Sequence, residues 1–499
     1  MSAVPYVDHP ELEEALLCHR QGEVDKASIL YLQVLSKDAN HAISQHHLSV
    51  LKYGQGDYEA ALVLQNQLLQ QHPHQAGYFN NRGNTLVRLG YTDQALQDFN
   101  QAIHLQASVA EFRVNRANAL VSLDRMELAL DDLNQALQLA PNLAMACANR
   151  ANVFHLTDRQ QEALADIEHA LQLEPDNASF HFNKANILVS LQRYAQAAVH
   201  YQQACDIDPT FDMAHLNWVY LLMRMQELPQ AAQVLQSSLQ QQASVACWVL
   251  LGEVHALLGE TALAQHCFAQ AKTFSPQDEE VDFYAAANLG MPPPMQAPAA
   301  YVTRLFDRYA PHFEWQVLNE LNYASPAHLH TQWLRHVQAL PAHALDLGCG
   351  TGLVAKAFKH NCGVIDGVDI SSHMLKKAQA TGLYRQLHEQ DLHLFLQQVR
   401  QRYDLVVCAD TLVYIGDLAA VFEGVGQALK PGGWFSFTIE ATSSPRYALK
   451  QSKRYGHAIP YIEQLAQAQG LQIVAIETDI IRQEQPVPVR GFNLLLQKI

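Results

Sequence analysis

The sequence predicts an α-helical solenoid followed by an α/β domain built on a parallel sheet, and three observations carry that prediction. A 34-residue period runs through the first 278 residues, with Ala117, Ala151 and Ala185 in one register, Ala129, Ala163 and Ala197 in a second, Ala136, Ala170 and Ala204 in a third, and Pro141, Pro175 and Pro209 in a fourth. The stretch Gly290 to Pro298, GMPPPMQAP, cannot continue a helix and marks a boundary. From Ala344 onward short apolar runs alternate with helical segments, and the first run ends in a glycine loop.

Each repeat reads as two amphipathic helices. Small residues at its eighth, twentieth and twenty-seventh places let the helices approach closely, and a proline near the thirty-second ends the second helix. The copies register as 8–41, 42–75, 76–109, 110–143, 144–177, 178–211, a 33-residue copy at 212–244, and 245–278. Ala39 and Ala107 replace the proline, Ser49 and Val219 replace the small residue, and Pro229 stands where a second helix should begin. In the last copy Trp248, Leu251 and Gly252 open the first helix, while Ala264, Phe268, Ala271 and Pro276 mark the second. This pattern resembles the tetratricopeptide repeat. The resemblance implies a superhelix whose concave groove holds a protein or peptide partner. Asn81, Asn115, Asn149, Asn183 and Asn217 recur at the sixth place, and Asn84, Asn118, Asn152 and Asn186 at the ninth. Their amides suit either an extended peptide backbone or hydrogen bonds between repeats.

Residues 279–289 read as the solvent-facing cap that a solenoid end needs, so the expected organisation is a superhelix over 1–289, a semi-rigid linker over 290–299, and a second domain over 300–499. Charge divides along the same line. Of 33 basic and 49 acidic residues, 18 and 17 lie from Ala300 onward, so the whole excess behind the net charge of -16 belongs to the repeats. Such a field works against a general grip on nucleic acid. With 499 residues, 49% apolar and 16% charged, the chain has ample surface to bury. Eight cysteines without a CxxC pair or zinc-finger histidine spacing imply buried thiols and no metal site. The opening MSAVPYVDHPELEE has neither basic head nor apolar core, and no stretch approaches the length of a membrane span, so a reducing cytoplasm is expected.

In the second domain, Leu345-Asp346-Leu347-Gly348-Cys349-Gly350-Thr351-Gly352 joins a strand to a helix starting near Leu353, and its glycines allow a tight turn that brings a ligand against the backbone. Asp369 ends the next strand, VIDGVD, where Asp366 is expected to face solvent. Asp391 follows the third strand, and Leu429-Lys430-Pro431-Gly432-Gly433 precedes the fifth. Together these strings resemble a class I S-adenosylmethionine-dependent methyltransferase with its Rossmann-like fold, over Tyr301 to Ile499. FDRYAPHFEW, GVDISSHMLKKA and VYIGDL are further similar to the methyltransferases fused to tetratricopeptide repeats. The resemblance implies S-adenosylmethionine as cofactor, with Gly348, Cys349, Gly350 and Gly352 in the loop and Asp346 beneath the methionine end. It also implies Asp369, with Ile370 beside it, on the ribose, and Asp391 on the adenine amine.

Methyl transfer from a sulfonium is an in-line displacement, so the enzyme positions the acceptor and, where needed, removes its proton. Candidates come from the carboxyl edge of the sheet: Asp410 and Tyr414 after the fourth strand, Glu440 after the fifth, and the insertion SSPRYALKQSKRYGHA. Within it Tyr455 and His457 are the expected acceptor-side residues, because imidazole titrates near neutrality. Arg446, Lys450, Lys453 and Arg454 either steer an acidic acceptor or form a solvated helical face. The aromatic run Tyr301, Phe306, Tyr309, Phe313 and Trp315 reads as a lid helix or as a helix packed on the sheet edge. The fourth strand leads into Cys408-Ala409-Asp410-Thr411-Leu412, not an NPPY-like motif, which by resemblance disfavours amide or adenine amine acceptors. Three readings follow: a methyltransferase whose repeats recruit a protein substrate or carrier, a small-molecule methyltransferase localised by its repeats, and a scaffold with a non-catalytic site.

Overall fold

The computed structural model describes residues 10–241, 243–310, 313–315, 317–318, 321, 323–337, 340–484 and 487–499. The opening segment read for a targeting signal, Met1 to His9, lies outside the described residues, as do the side chains of Tyr309 and Trp315. Contacts divide the chain into two compact units, Met1–Met225 and Gln226–Ile499.

The first unit is a run of helix pairs, beginning with Pro10–Arg20 and Val24–Lys37 and reaching Ala178–Ser190 with Tyr194–Ile207 before Asp212–Arg224. First helices start at Ala42, Ala76, Ala110, Ala144, Ala178 and Asp212, which is the 34-residue step of the sequence. Close approach sets the small positions: a Cβ on Gly83 would lie 2.6 Å from the Phe99 ring, and Ala117, Ala151 and Ala185 are fully buried at the same place. The turn inside each pair needs a left-handed residue. Gly22, Gly56 and Gly90 supply it at no steric cost, whereas Asp124, Asp158 and Gln192 adopt φ values of 58 to 61° there.

A periodic ion ladder stitches the pairs together. Arg82, Arg116 and Arg150 each clasp the aspartate sixteen residues on (Asp98, Asp132, Asp166), with Nε–Oδ2 distances of 2.7, 2.7 and 2.6 Å. Each also donates to an asparagine sixteen residues back: Asn66, Asn100 or Asn134. The sixth-place asparagines work in the same direction. Asn149 Nδ2 donates to Asn118 Oδ1 at 2.8 Å and Asn217 to Asn186 at 3.2 Å, sixth place to ninth place of the preceding copy, while Asn115 donates to Asn80 at 2.8 Å. Of the two readings of this ladder, the structure exhibits hydrogen bonding between repeats.

The second unit opens with Leu228–Gln241, the pair Val245–Leu257 and Thr261–Phe274, and Glu279–Leu289, whose first turn is capped by Asp278. A nine-stranded sheet follows among the described residues: β1 His343–Leu347, β2 Val364–Asp369, β3 Gln386–Glu389, β4 Tyr403–Cys408, β5 Leu429–Ala441, β6 Tyr447–Leu449, β7 Tyr455–His457, β8 Leu471–Glu484 and β9 Val487–Lys498. Strands β1 to β5 are parallel in the order β3-β2-β1-β4-β5, so the connections reverse direction between β1 and β4 and leave a crevice at their carboxyl ends. Antiparallel β9 extends the sheet from β5, and β8 follows it. The core packs Leu345, Val406, Phe435 and Phe437 of the central strands against Phe395, Phe422 and Ile462 of the flanking helices.

Three expectations are corrected here. Asp366 does not face solvent: it is 1% exposed and held by Arg385, Arg402 and Tyr403, at 2.6 to 3.0 Å. The LKPGG string opens β5 instead of preceding it, with Gly432 at φ 75°. Nor is the proline-rich stretch a spacer with few contacts. Gly290 ends its helix in the left-handed conformation. Beyond it, Met295 O accepts from Gly416 N at 2.8 Å and Asp417 N at 2.9 Å, and Ala297 N donates to Tyr414 O at 2.8 Å. The prolines leave the chain extended, and the segment after β4 offers backbone groups that must be satisfied.

Candidate functional site

A cleft of about 1120 Å³, adjoining open solvent included, lies at the switch point between β1 and β4. Its first wall is the glycine loop. Gly348 N and Cys349 N both donate to Val368 O, at 2.8 and 3.0 Å, which folds the loop over the end of β2. Gly348 sits at φ 78°, and a Cβ there would come within 2.2 Å of Thr411 Oγ1, so only glycine fits. Gly352, at φ 98°, caps the helix Leu353–Phe358 and does not itself line the cleft, whereas Gly350 does.

Four acids surround this wall. Asp369 lines the cleft, and its carboxylate accepts from Gly350 N at 2.8 Å and Ser371 N at 2.9 Å. Burial nevertheless keeps its pKa above the ordinary range. Each oxygen retains a second lone pair for a ligand hydroxyl. Asp391 also lines the cleft; its oxygen accepts from His393 N and Leu394 N at the start of a helix, and His393 together with those amides holds its pKa down. Asp346 lies 1% exposed beneath the loop and takes a 2.6 Å bond from the Tyr384 hydroxyl to one oxygen, while Oδ1 has no partner. Burial pushes this carboxyl up to about 7. A buried acceptor without a donor is costly, and although Asp346 does not itself line the cleft, this oxygen suits a cationic or hydrogen-bonding group of a ligand. Cys349 is buried beside it, a thiol raised by desolvation. Ile370 completes the loop side.

Fourth among the acids, Asp410 stands after β4 with φ 55°. Arg482 of β8, 1% exposed, donates to both its oxygens, at 3.1 and 3.3 Å, and also bonds Glu440. Lys450 closes this network on Glu440 at 2.8 Å. Burial works to raise Glu440, but Arg482 and Lys450 hold it below its usual value. Asp410 and Tyr414 line the cleft, while Glu440 does not line it and supports Arg482 from within. Tyr323 lines the cleft too; burial first, then Asp410 and Asp346, push its phenol well above the usual range, leaving it a neutral donor.

The structure does not bring His457 or Tyr455 to the cleft lining. His457 is fully buried, with Nε2 facing the carbonyl oxygens of Ile415 at 2.9 Å and Gly416 at 3.1 Å, and burial lowers its pKa to about 4. A nitrogen facing two carbonyls must carry the proton, so this imidazole is a neutral staple and not a base. The Tyr455 hydroxyl donates to Pro294 O at 2.9 Å, and burial raises its pKa. The basic insertion is a hairpin, not a helical face. Arg446 pairs with Asp417, Lys450 with Glu440 and Lys453 with Glu253, and Arg454 is the one of the four that lines the cleft. Within the aromatic run Phe306 and Phe313 line the cleft, while Tyr301 packs against Phe283.

Sequence reasoning missed Arg482, Tyr323 and the Gln296–Ala297 wall. Arg482 had a visible signal, the one cation of the β8 strand segment, directly after Ile480-Ile481. Tyr323 and Gln296 had none, because both lie in segments without periodicity.

A glycine loop on β1 and acids at the ends of β1, β2 and β3 define a nucleotide-type crevice of an α/β domain. Residues 345–435 match the family model described as "Methyltransferase domain", and residues 80–144 and 159–210 match "Tetratricopeptide repeat". The chain is thus a tetratricopeptide-repeat protein carrying a class I methyltransferase domain. Its similar proteins include the "Ubiquinone biosynthesis O-methyltransferase" of Albidiferax ferrireducens, 27% identical over 33% of this chain and 68% of that enzyme. The same-named enzyme of Paracidovorax citrulli is 28% identical over 25% and 53%, and that of Leptothrix cholodnii 31% over 18% and 40%. The chain thus spans between 40 and 68% of these relatives. Among solved structures, a thermophilic tetratricopeptide-repeat protein of Thermus thermophilus is 23% identical, with 36% of this chain and 99% of that one covered and a TM-score of 0.35.

Proposed function

We propose that the protein transfers a methyl group from S-adenosylmethionine to an oxygen acceptor bound in this cleft, and that the repeats recruit the protein that is, or carries, the acceptor. The observation behind the cofactor is the orphan Oδ1 of Asp346 beneath the glycine loop. It suits the ammonium of the methionine end, with Asp369 for ribose hydroxyls and Asp391 for the adenine amine. When bound, the sulfonium supplies the electrophile, and this chain's residues orient the acceptor against it. Asp410, fixed by Arg482, can accept the proton of an acceptor hydroxyl, and Tyr414 and Tyr323 border it. An oxygen acceptor is favoured by the O-methyltransferase names of the relatives. The division of labour follows 1–289 for recruitment and 300–499 for chemistry, in a reducing cytoplasm, with 290–299 serving as cleft wall.

Isothermal titration is the test. S-adenosylmethionine binds the full chain, and Asp369→Ala weakens it by roughly 1.5 to 3 kcal/mol, the range of a hydrogen bond to a charged group. Tight binding of NAD with none of the sulfonium would overturn the reading.

A further inference from the structure

One side of the cleft is lined partly by Gln296, Ala297 and Ala299, which the sequence assigns to the linker, and the last repeat reaches that side through a hairpin. Two segments meet there. The strap Met295–Ala297 is bonded to Tyr414, Gly416 and Asp417 through the three backbone hydrogen bonds given above, and Gln296 and Ala297 line the cleft. The β6–β7 hairpin packs beside it: Gly416 has no room for a Cβ, which would sit 2.7 Å from the Tyr455 ring and 2.8 Å from that of Tyr447.

The hairpin turn is held from both sides by lysines three residues apart. Lys450 reaches Glu440, and through it Arg482 and the cleft carboxylate Asp410. Lys453, a non-glycine residue at φ 61°, reaches the opposite way to Glu253 in the helix Val245–Leu257, at 2.5 Å, and lies 5.2 Å from the Tyr284 ring centroid. Glu253 is 4% exposed and occupies the ninth place of the last repeat, where four of the seven earlier copies carry asparagine. A buried carboxylate at that place needs a cation, and the hairpin supplies it. Arg454, next in sequence, lines the cleft with its guanidinium 6.0 Å from the Tyr414 ring centroid. Phe283 of the cap helix seals the junction against Tyr301 and Tyr455.

The geometry points to the last repeat as a structural part of the acceptor side of the site: Glu253 and Lys453 are positioning residues that hold the hairpin, and through it Arg454 and the strapped Leu412–Asp417 segment, at the cleft wall. This rests on the methyltransferase reading only for the name of what the wall faces. It explains a fusion in which the repeat domain does more than raise local concentration.

Hydrogen exchange on the full chain tests it. In Glu253→Gln and in Lys453→Ala, the amides of Ala297, Gly416 and Asp417 exchange at least about tenfold faster, a local opening made easier, while those of β1 and β4 keep their rates. The charge-exchanged double variant Glu253→Lys with Lys453→Glu restores the slow rates, which a general loss of packing would not do. Binding of S-adenosylhomocysteine stays within about twofold of the parent chain, because neither residue touches the glycine loop. Unchanged exchange in both single variants, or no restoration in the double variant, overturns the proposal. Failure of the parent chain to bind S-adenosylhomocysteine would sink the cofactor reading alone and leave the exchange result standing.

Discussion

Asp346 carries the sharpest residue-scale consequence of the site. Its folded pKa of about 7, raised by burial and by Asp369 against the opposing Tyr384 bond, lies above that of an exposed aspartate. The sign follows directly. A raised folded pKa contributes stability that is fully present below the unfolded value of about 4 and is lost as pH climbs through about 7, where the ionised form must be held without a second partner. An ammonium placed on Oδ1 reverses this, since it needs the ionised form. Affinity for S-adenosylmethionine therefore rises with pH up to about 7, and binding below that pH releases a proton. Asp346→Asn keeps an acceptor for the Tyr384 hydroxyl and removes the titration. Its ligand-free melting temperature exceeds that of the parent at pH 8 but not at pH 4, and its cofactor affinity at pH 8 falls at least about tenfold, the scale of a charged hydrogen bond. Melting curves at both pH values and titrations across the range check both statements; a pH dependence of binding that survives the substitution would contradict the assignment.

For the elements, the repeat is the unit whose chemistry was most and least legible. Alanine, glycine and proline registers fixed helix starts to the residue at Ala76, Ala110 and Ala144, because close packing tolerates little there. The Arg82, Arg116, Arg150 series was equally periodic in the sequence and went unread, since a charge run on a helix is usually a solvated face. Only the fold brings each arginine onto the aspartate of the facing helix. Asp132 is 1% exposed, so removing its partner leaves a buried charge uncompensated. Arg116→Ala is expected to cost about 3 kcal/mol, against about 1 kcal/mol for Asn149→Ala, which loses one neutral bond between repeats. Urea denaturation of the full chain, followed by circular dichroism, ranks the two; equal costs would mean that Asp132 finds water or another donor. In the α/β unit the same contrast holds. Strand ends and glycines announced Asp369 and Gly348 locally, whereas Arg482, Tyr323 and Gln296 depend on where distant segments return to the cleft.

Over the whole chain, the consequence concerns where it can be cut. Sequence composition places the cut at the prolines, and a fragment of residues 300–499 looks long enough to hold its own core. Within the unit Gln226–Ile499, however, that cut strips three backbone hydrogen bonds from Tyr414, Gly416 and Asp417, the Pro294 acceptor from Tyr455, and the Phe283 ring from the cluster of Tyr301 and Tyr455. Three backbone bonds at about 1 kcal/mol each and one buried aromatic ring at about 2 kcal/mol sum to roughly 5 kcal/mol, as much as many domains have in total. The cofactor loop and β1 to β4 make none of these contacts, so the loss falls on the acceptor side. A fragment of residues 226–499 should therefore melt cooperatively and bind S-adenosylmethionine like the full chain. The 300–499 fragment should melt at least about 10 °C lower, given a shift of a few degrees per kcal/mol in a domain of this size, or precipitate through its exposed tyrosines. Differential scanning calorimetry of the two fragments side by side decides it, and equal melting temperatures with equal affinities would show that the strap and the cap helix rest on the methyltransferase domain without supporting it.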